Sequence, residues 1–294
     1  MNIALMGTGL IGSALAERLL ESSHRLIVYN RTTSKTNALK EKGAHIAFSA
    51  QEAIGEAECI ILALSDARAI GEVLFSGDKK SLTGRTVIQM GTVAPFESIE
   101  IQKKVFARGG EYFECPVLGS RKEAIAGSLI LMVGATKDKF EKWQSLLKIF
   151  GPRPQLIGEV GKASAMKLAL NQLIASHAVT FSLSLGIIQK NNINVEVFSE
   201  ILRESALYAP MFDKKLSNWI NQEYSNPNFS VKHLLKDVGL VIKESEDKNL
   251  DHTVVDAIEA MVIKAIDCGL EDKDYSSVFN VVNKIGDRPL RNNS

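Results

Sequence analysis

Asn2-Ile3-Ala4-Leu5-Met6-Gly7-Thr8-Gly9-Leu10-Ile11-Gly12 is the stretch that sets the class of this chain. A short apolar run suited to a buried strand leads into a glycine triplet, and the triplet leads into an amphipathic run over residues 11–20. The spacing G-x-G-x-x-G is a weak signal alone and a strong one between a strand and a helix, where it reads as a dinucleotide-binding turn. Gly7 permits the tight turn, Gly9 lets backbone approach a pyrophosphate, and Gly12 lets helix and strand pack closely. The amides from Thr8 through Leu10 and Ile11 then face the phosphates at the positive end of the helix dipole. The competing reading is a glycine-rich turn without a ligand.

Outward from this turn, short apolar runs alternate with amphipathic ones as far as about residue 135. Residues 2–6, 25–29, 59–64, 86–90, 112–115 and 129–133 read as strands, and 11–20, 35–42, 50–54, 67–74 and 96–107 as helices. That alternation predicts right-handed βαβ units in a parallel sheet covered on both faces, an α/β Rossmann-type doubly wound fold. The pattern changes after Gly151-Pro152-Arg153-Pro154, and helical patterns follow over about 163–190, 195–204, 230–248 and 251–267. The expected organisation is a nucleotide-binding domain over 1–160 and an all-α domain over 161–294 that begins with a long interdomain helix. The helix near Lys162 is apolar all round, so a central position packed on several sides is expected. Asn226-Pro227-Asn228 marks a loop, and the polar tail 287–294 is expected to fray.

Composition narrows the function classes. The chain has 294 residues with 35 basic and 34 acidic side chains, a net charge of +1, which argues against a nucleic-acid or membrane-surface partner. Hydrophobic residues at 45% against 23% charged suit a globular chain with a sizeable core, and the length suits two domains. Cys59, Cys115 and Cys268 lie far apart without a C-x-x-C spacing, so neither a disulfide framework nor a metal site is expected. The N-terminus has no basic region before its apolar run, which predicts a first strand, no signal peptide and a cytoplasmic protein. Residues 168–189 lack Asp, Glu, Lys and Arg, yet Asn171, Gln172, His177 and several hydroxyls interrupt them, which favours a buried helix over a bilayer span.

Cofactor choice is read at the end of the second strand, Val28-Tyr29-Asn30-Arg31-Thr32. NAD selection usually places Asp or Glu near residue 30 to hold the ribose hydroxyls, and a carboxylate there repels a 2′-phosphate. Asn30 and Arg31 stand there instead, and a guanidinium suits a phosphate dianion, so NADP(H) is preferred over NAD(H). The competing reading of Arg31 is a solvated loop residue. Doubly wound sheets bind ligands beyond the carboxyl ends of their strands. That marks Ala63-Leu64-Ser65-Asp66, Met90-Gly91-Thr92-Val93, and the stretch from Glu114 to Arg121. Lys167 and Asn171, four residues apart, share one face of the long helix; the competing reading of Lys167 is a side chain snorkelling at a helix end.

These motifs together resemble the β-hydroxyacid dehydrogenase family, the group of 3-hydroxyisobutyrate dehydrogenase and tartronate semialdehyde reductase. The carriers are Gly7 to Gly12, Asn30-Arg31-Thr32, Leu64-Ser65-Asp66, Gly91-Thr92-Val93, Glu114 to Ser120, Gly161 to Asn171, and Phe229 to Asp237. Pro116 to Ala124 with Gly127-Ser128-Leu129 looks most like the glyoxylate/succinic semialdehyde reductase branch. The resemblance implies Lys167 as general acid/base, with Asn171 binding substrate or orienting the lysine. It implies Leu64, Ser65, Thr92 and Lys236 at the cofactor. It also implies Thr92, Leu118, Gly119, Ser120, Phe229 and Asp237 around a small carboxylate-bearing carbonyl substrate or 3-hydroxy acid.

Two departures bear on substrate. Cys115 and Leu118 stand in a motif that usually reads Asp/Glu-Ala-Pro followed by Val-Ser-Gly, so one hydroxyl donor to a substrate carboxylate is replaced by apolar bulk. Ala163 stands at a usual glycine. The alternatives are an imine reductase-like enzyme, against which the retained Lys167 argues, and a non-catalytic NADP-binding scaffold. A homodimer or homotetramer is expected from the apolar surface of the long helix.

Overall fold

The computed structural model describes residues 1–75 and 82–285, which leaves the polar tail 287–294 outside the described residues. The chain divides into two compact units, Met1–Ala169 and Leu170–Ser294. The first unit alternates β1 (Asn2–Met6), α1 (Leu10–Leu20), β2 (Arg25–Tyr29), a 3-10 turn at Thr33–Thr36, α2 (Asn37–Glu41), β3 (His45–Ile46), α3 (Ala50–Glu56), β4 (Cys59–Leu62) and α4 (Ala67–Phe75). It continues through β5 (Thr86–Gln89), α5 (Pro95–Phe106), β6 (Glu111–Glu114), β7 (Val117–Leu118), α6 (Arg121–Ile125), β8 (Ile130–Gly134), α7 (Lys137–Leu147) and β9 (Gln155–Gly158).

The strands form one sheet in the order β3-β2-β1-β4-β5-β6-β8-β7, with β9 beside β8. From β3 to β6 every pair is parallel, because each strand returns through a helix. The central strands are buried on both faces: Ile3 and Leu5 enter one apolar layer, Ala4 and Met6 the other. The expectation of a parallel sheet needs one correction. β8 runs antiparallel to both β6 and β7, since only a short segment separates β7 from β8. β3, β7 and β9 escape periodicity because strands of two to four residues carry too few alternations.

α8 (Lys162–Lys190) runs across the boundary between the two units. The second unit continues with α9 (Val195–Glu204), α10 (Pro210–Asn221), α11 (Val231–Asp247), α12 (Thr253–Asp267) and α13 (Val278–Val282). Its core gathers Phe181, Leu185, Phe212, Trp219 and Phe279, with the Phe181 and Phe212 rings stacked at 4.3 Å. A buried ion pair, Lys215 to Asp274 at 2.7 Å, ties α10 to the turn before α13, and the Asn228 amide shares the same carboxylate at 3.0 Å. α8 is the one helix among the described residues long and apolar enough to cross a membrane by length and composition. The expectation that it packs on several sides is corrected: Leu173, Leu183 and Ile187 are 49%, 55% and 54% exposed.

Candidate active site

The glycines of the first turn play three different parts. A Cβ on Gly7, whose φ is +99°, would lie 2.5 Å from the Ala63 carbonyl oxygen, and one on Gly12 would lie 2.1 Å from the Gly7 oxygen. Both positions therefore exclude a side chain. A Cβ on Gly9 would meet nothing within 4 Å, so that glycine faces open space at the start of α1. Thr8 is buried, and its Oγ1 has no hydrogen-bond partner among the described residues. An open glycine, an orphaned hydroxyl and a helix start without an acidic residue in its first turn fit a phosphate-bearing dinucleotide. Gly91 packs in the same way, its absent Cβ 2.4 Å from the Leu64 oxygen, so the turns after β1, β4 and β5 meet at one edge of the sheet.

The loop after β2 is organised by Asn30. Its Oδ1 accepts the Thr8 amide at 3.0 Å and its Nδ2 donates to the Thr32 carbonyl at 2.9 Å. Arg31 projects outward, 89% exposed, with only a 3.9 Å approach to Glu72. Leu10 is exposed and Ile11 half-buried. Ser65 donates to Asp66 at 2.7 Å, and Asp66 in turn accepts the Ala69 amide and caps α4. Thr92 is half-buried in the Gly91-Thr92-Val93 turn.

The loop after β6 is held by local contacts. Leu118 is half-buried in β7, and Gly119 has φ +137° with Leu129 2.7 Å from where its Cβ would be. Ser120 was expected to hold a substrate carboxylate. Its amide donates to Glu123 at 2.8 Å and its hydroxyl donates to the same carboxylate oxygen. The pair closes a capping box on α6. Ser120-Arg121-Lys122-Glu123 carries that signature openly.

Glu114, at the end of β6 and within the strand expected over 112–115, is fully buried and holds the start of α8. Its Oε1 accepts the amides of Gly161 at 2.8 Å and Ser164 at 3.0 Å, and its Oε2 accepts the hydroxyls of Ser164 at 2.6 Å and of Ser98. Ser98 also pairs with Tyr112 Oη at 2.8 Å. Burial, and after it the Glu114 charge, pushes the Cys115 thiol far up, so that cysteine stays protonated and inert. Beside Glu114 in register, Gln89 is wholly buried with neither amide atom hydrogen-bonded among the described residues. Lys167 follows Ser164 by three residues on α8 and is buried.

In the second unit, Asn171 Nδ2 donates to Asp237 Oδ2 at 2.6 Å, both side chains buried. Lys236 Nζ lies 2.7 Å from Asp237 Oδ1, off the line a hydrogen bond needs, so this contact is an ion pair. Phe229 stacks on His233, whose Nδ1 lies 2.7 Å from Ser230 Oγ. His233 escaped the sequence reading although it lies within the quoted motif. On the surface of the first unit His45, Glu52 and Glu56 gather at metal-ligand range, but Arg25 engages Glu56 at 3.0 Å and the Phe48 amide engages Glu52 at 2.7 Å. Cys59, Cys115 and Cys268 are free.

The fold and the glycine cradle define a dinucleotide-binding enzyme with a helical C-terminal region. Residues 2–160 match the NAD binding domain of 6-phosphogluconate dehydrogenase, and residues 161–282 match the NAD-binding domain of NADP-dependent 3-hydroxyisobutyrate dehydrogenase. Glyoxylate/succinic semialdehyde reductase 1 of Arabidopsis thaliana is 31% identical over 96% of this chain and 98% of its own. The chain belongs to the β-hydroxyacid dehydrogenase family of NAD(P)-dependent oxidoreductases. Among solved structures, 3-hydroxyisobutyrate dehydrogenase from Salmonella typhimurium has a TM-score of 0.86 at 20% identity, covering 96% of this chain and 99% of that one. An imine reductase from Myxococcus stipitatus with NADP+ has a TM-score of 0.66 at 21% identity, covering 96% and 100%. At those identities the likeness is one of fold.

Proposed function

We propose that this protein is an NADPH-dependent reductase of small aldehydes or keto acids, with Lys167 as the general acid. The observation that carries the reading is Lys167 itself, a buried cation on the helix that Glu114 anchors, in the same compact unit as the glycine cradle. Residues Thr8 to Gly12 would hold the pyrophosphate, Arg31 the 2′-phosphate, and Thr92 the nicotinamide ribose. Bound there, a reduced nicotinamide supplies hydride to a carbonyl carbon.

Lys167 donates its proton to the carbonyl oxygen as that oxygen gains electron density, and water then reprotonates the amine. Asn171, one turn further on, donates to the substrate or orients Lys167; its Nδ2 is held by Asp237 at 2.6 Å, which fixes the rotamer. Exposed Leu173, Leu183 and Ile187 on α8 supply the apolar face of a homodimer or homotetramer. Support for an aldehyde-acid substrate comes from the Arabidopsis relative, whose name states glyoxylate and succinic semialdehyde.

The test is Lys167→Ala, assayed with glyoxylate, succinic semialdehyde and a cyclic imine. NADPH binding is retained and carbonyl turnover falls by ~10² or more, as for a lost general acid. Wild-type turnover in that variant, or reduction of the imine alone by the parent protein, overturns the reading.

A further inference from the structure

We propose that Glu114 is a positioning residue for Lys167, setting where the helix that carries the general acid begins and which way it is turned. The inference rests on the reading of Lys167 given above and goes beyond it, to the group that acts through the lysine.

A helix start usually finds its cap locally, in a Ser, Thr, Asp or Asn at the N-cap position. α8 has none. Gly161 precedes it with φ +98° and no side chain; the Lys162 amide turns back to the Glu159 carbonyl, and the acceptor for the Gly161 and Ser164 amides comes from a strand 47 and 50 residues earlier. A serine at the N-cap would satisfy the Ser164 amide and leave the helix free to shift. A carboxylate at the end of β6 satisfies both amides only while the helix starts at one place against the sheet.

The arrangement is costly enough to need a reason. A fully buried carboxylate loses its hydration and is tolerated only when donors surround it. Four donors converge on Glu114: two backbone amides and the hydroxyls of Ser164 and Ser98. Space for it comes from Gly134, its partner across β8, where any Cβ would lie 2.4 Å from Glu114 Oε1. Ser98 on α5 and Tyr112 on β6 extend the network, so three elements fix the orientation of one carboxylate.

The anchored side of the helix is also the side that carries the chemistry. Ser164 and Lys167 are three residues apart and therefore share a face. A slip of one residue at the anchor turns that face by about 100°, since the helix has ~3.6 residues per turn. Displacement by about 1 Å is enough to cost roughly a hundredfold in a proton-transfer step. Glu114 also directly precedes Cys115 to Ser120, so one residue registers the lysine helix against that loop.

The test is a double-mutant cycle on the full-length protein. Glu114→Gln keeps the size, loses the charge and presents an NH2 to amides that need an acceptor. Its kcat should fall by about tenfold or more while the NADPH dissociation constant changes by less than about threefold. Ser164→Ala, which keeps the charge and both amide bonds, should lose roughly threefold in kcat. In the Lys167→Ala background both substitutions should cost little further rate, because groups that act as a unit are not additive. Wild-type kcat in a folded Glu114→Gln protein, or its full penalty repeated in the Lys167→Ala background, overturns the proposal. If Glu114→Gln does not fold, the Ser164→Ala and Lys167→Ala cycle decides in the same way. Unchanged turnover in Lys167→Ala alone is a different result and removes the reading of Lys167 instead.

Discussion

The side-chain oxygen of Asn30 accepts the backbone N–H of Thr8 at 3.0 Å. The residue that occupies the ribose-reading position is thus committed to fastening the glycine turn to the end of β2. With Asn30 engaged on both its oxygen and its nitrogen, Arg31 is the charged side chain beside it left at the surface to meet a 2′-phosphate.

The proposed preference for NADPH is therefore tested at Arg31. Arg31→Ala should raise the KM for NADPH by about tenfold, the scale of one charge-assisted contact, and leave the KM for NADH nearly unchanged. Any NADPH advantage supplied by Arg31 should shrink with added salt, because Arg31 is 89% exposed and well screened. Equal effects on both dinucleotides would show that Arg31 is a solvated loop residue.

Gly9 and Gly12 should respond to the same substitution in opposite ways. Gly12→Ala places a methyl 2.1 Å from a backbone oxygen, so α1 must move. A loss of stability of about 2 kcal/mol or more is expected, visible in thermal unfolding. Gly9→Ala meets nothing within 4 Å and has φ −68°, so its unfolding temperature should stay near that of the parent. Its affinity for NADPH should drop by an order of magnitude or more, since the methyl fills space the pyrophosphate needs. Identical behaviour of the two variants would remove the argument for a phosphate at Gly9.

Glu123 holds both donors of Ser120, its amide and its hydroxyl, so a substrate carboxylate proposed to sit at Ser120 would compete with an internal carboxylate. Glu123→Ala should lower the KM for succinic semialdehyde by several fold, roughly the worth of one or two hydrogen bonds. The KM for an uncharged aldehyde of the same length should not change. The cap lost from α6 should cost about 1 kcal/mol of stability. A parallel shift in both KM values would place Ser120 outside the substrate site.

His233 supplies a pH signature in the second unit. Burial, then Lys236 and Lys232, hold its pKa below the ordinary 6.5 despite the opposing pull of Asp237 and Asp272. The unfolded chain binds the proton more readily, so the stability this neutral ring contributes is complete above 6.5 and is lost as pH falls through the lower folded value. His233→Gln should flatten the decline of unfolding temperature between about pH 7 and about pH 5. An unchanged slope would mean that other groups govern acid stability there.

The Rossmann-type sheet, the glycine turn and the change to helices were readable because each is written in neighbouring residues. Residues 2–6 and 25–29 are strands within the predicted limits, and the helix expected over 163–190 is Lys162–Lys190. α10 and α7 were passed over, although Pro210 at the first position of α10 was a usable sign. Seven of the described residues, 158 to 164, contain both the end of β9 and the start of α8, and nothing local there announces a cap.

Hydrophobic period and glycine spacing act over a turn or two of chain, and they were sufficient for the class of fold and the cofactor cradle. Pairing across the chain was not accessible from them. Glu114 meets Gly161 and Ser164, Asn30 meets Thr8, and Asn171 meets Asp237 at separations of 47, 50, 22 and 66 residues. A buried carboxylate or amide chooses its partners by desolvation, which forces it onto whichever donors the folded backbone brings within 3 Å. That choice exists only once the layers have packed, and it turned Asn30 into a clasp and Glu114 into a helix anchor.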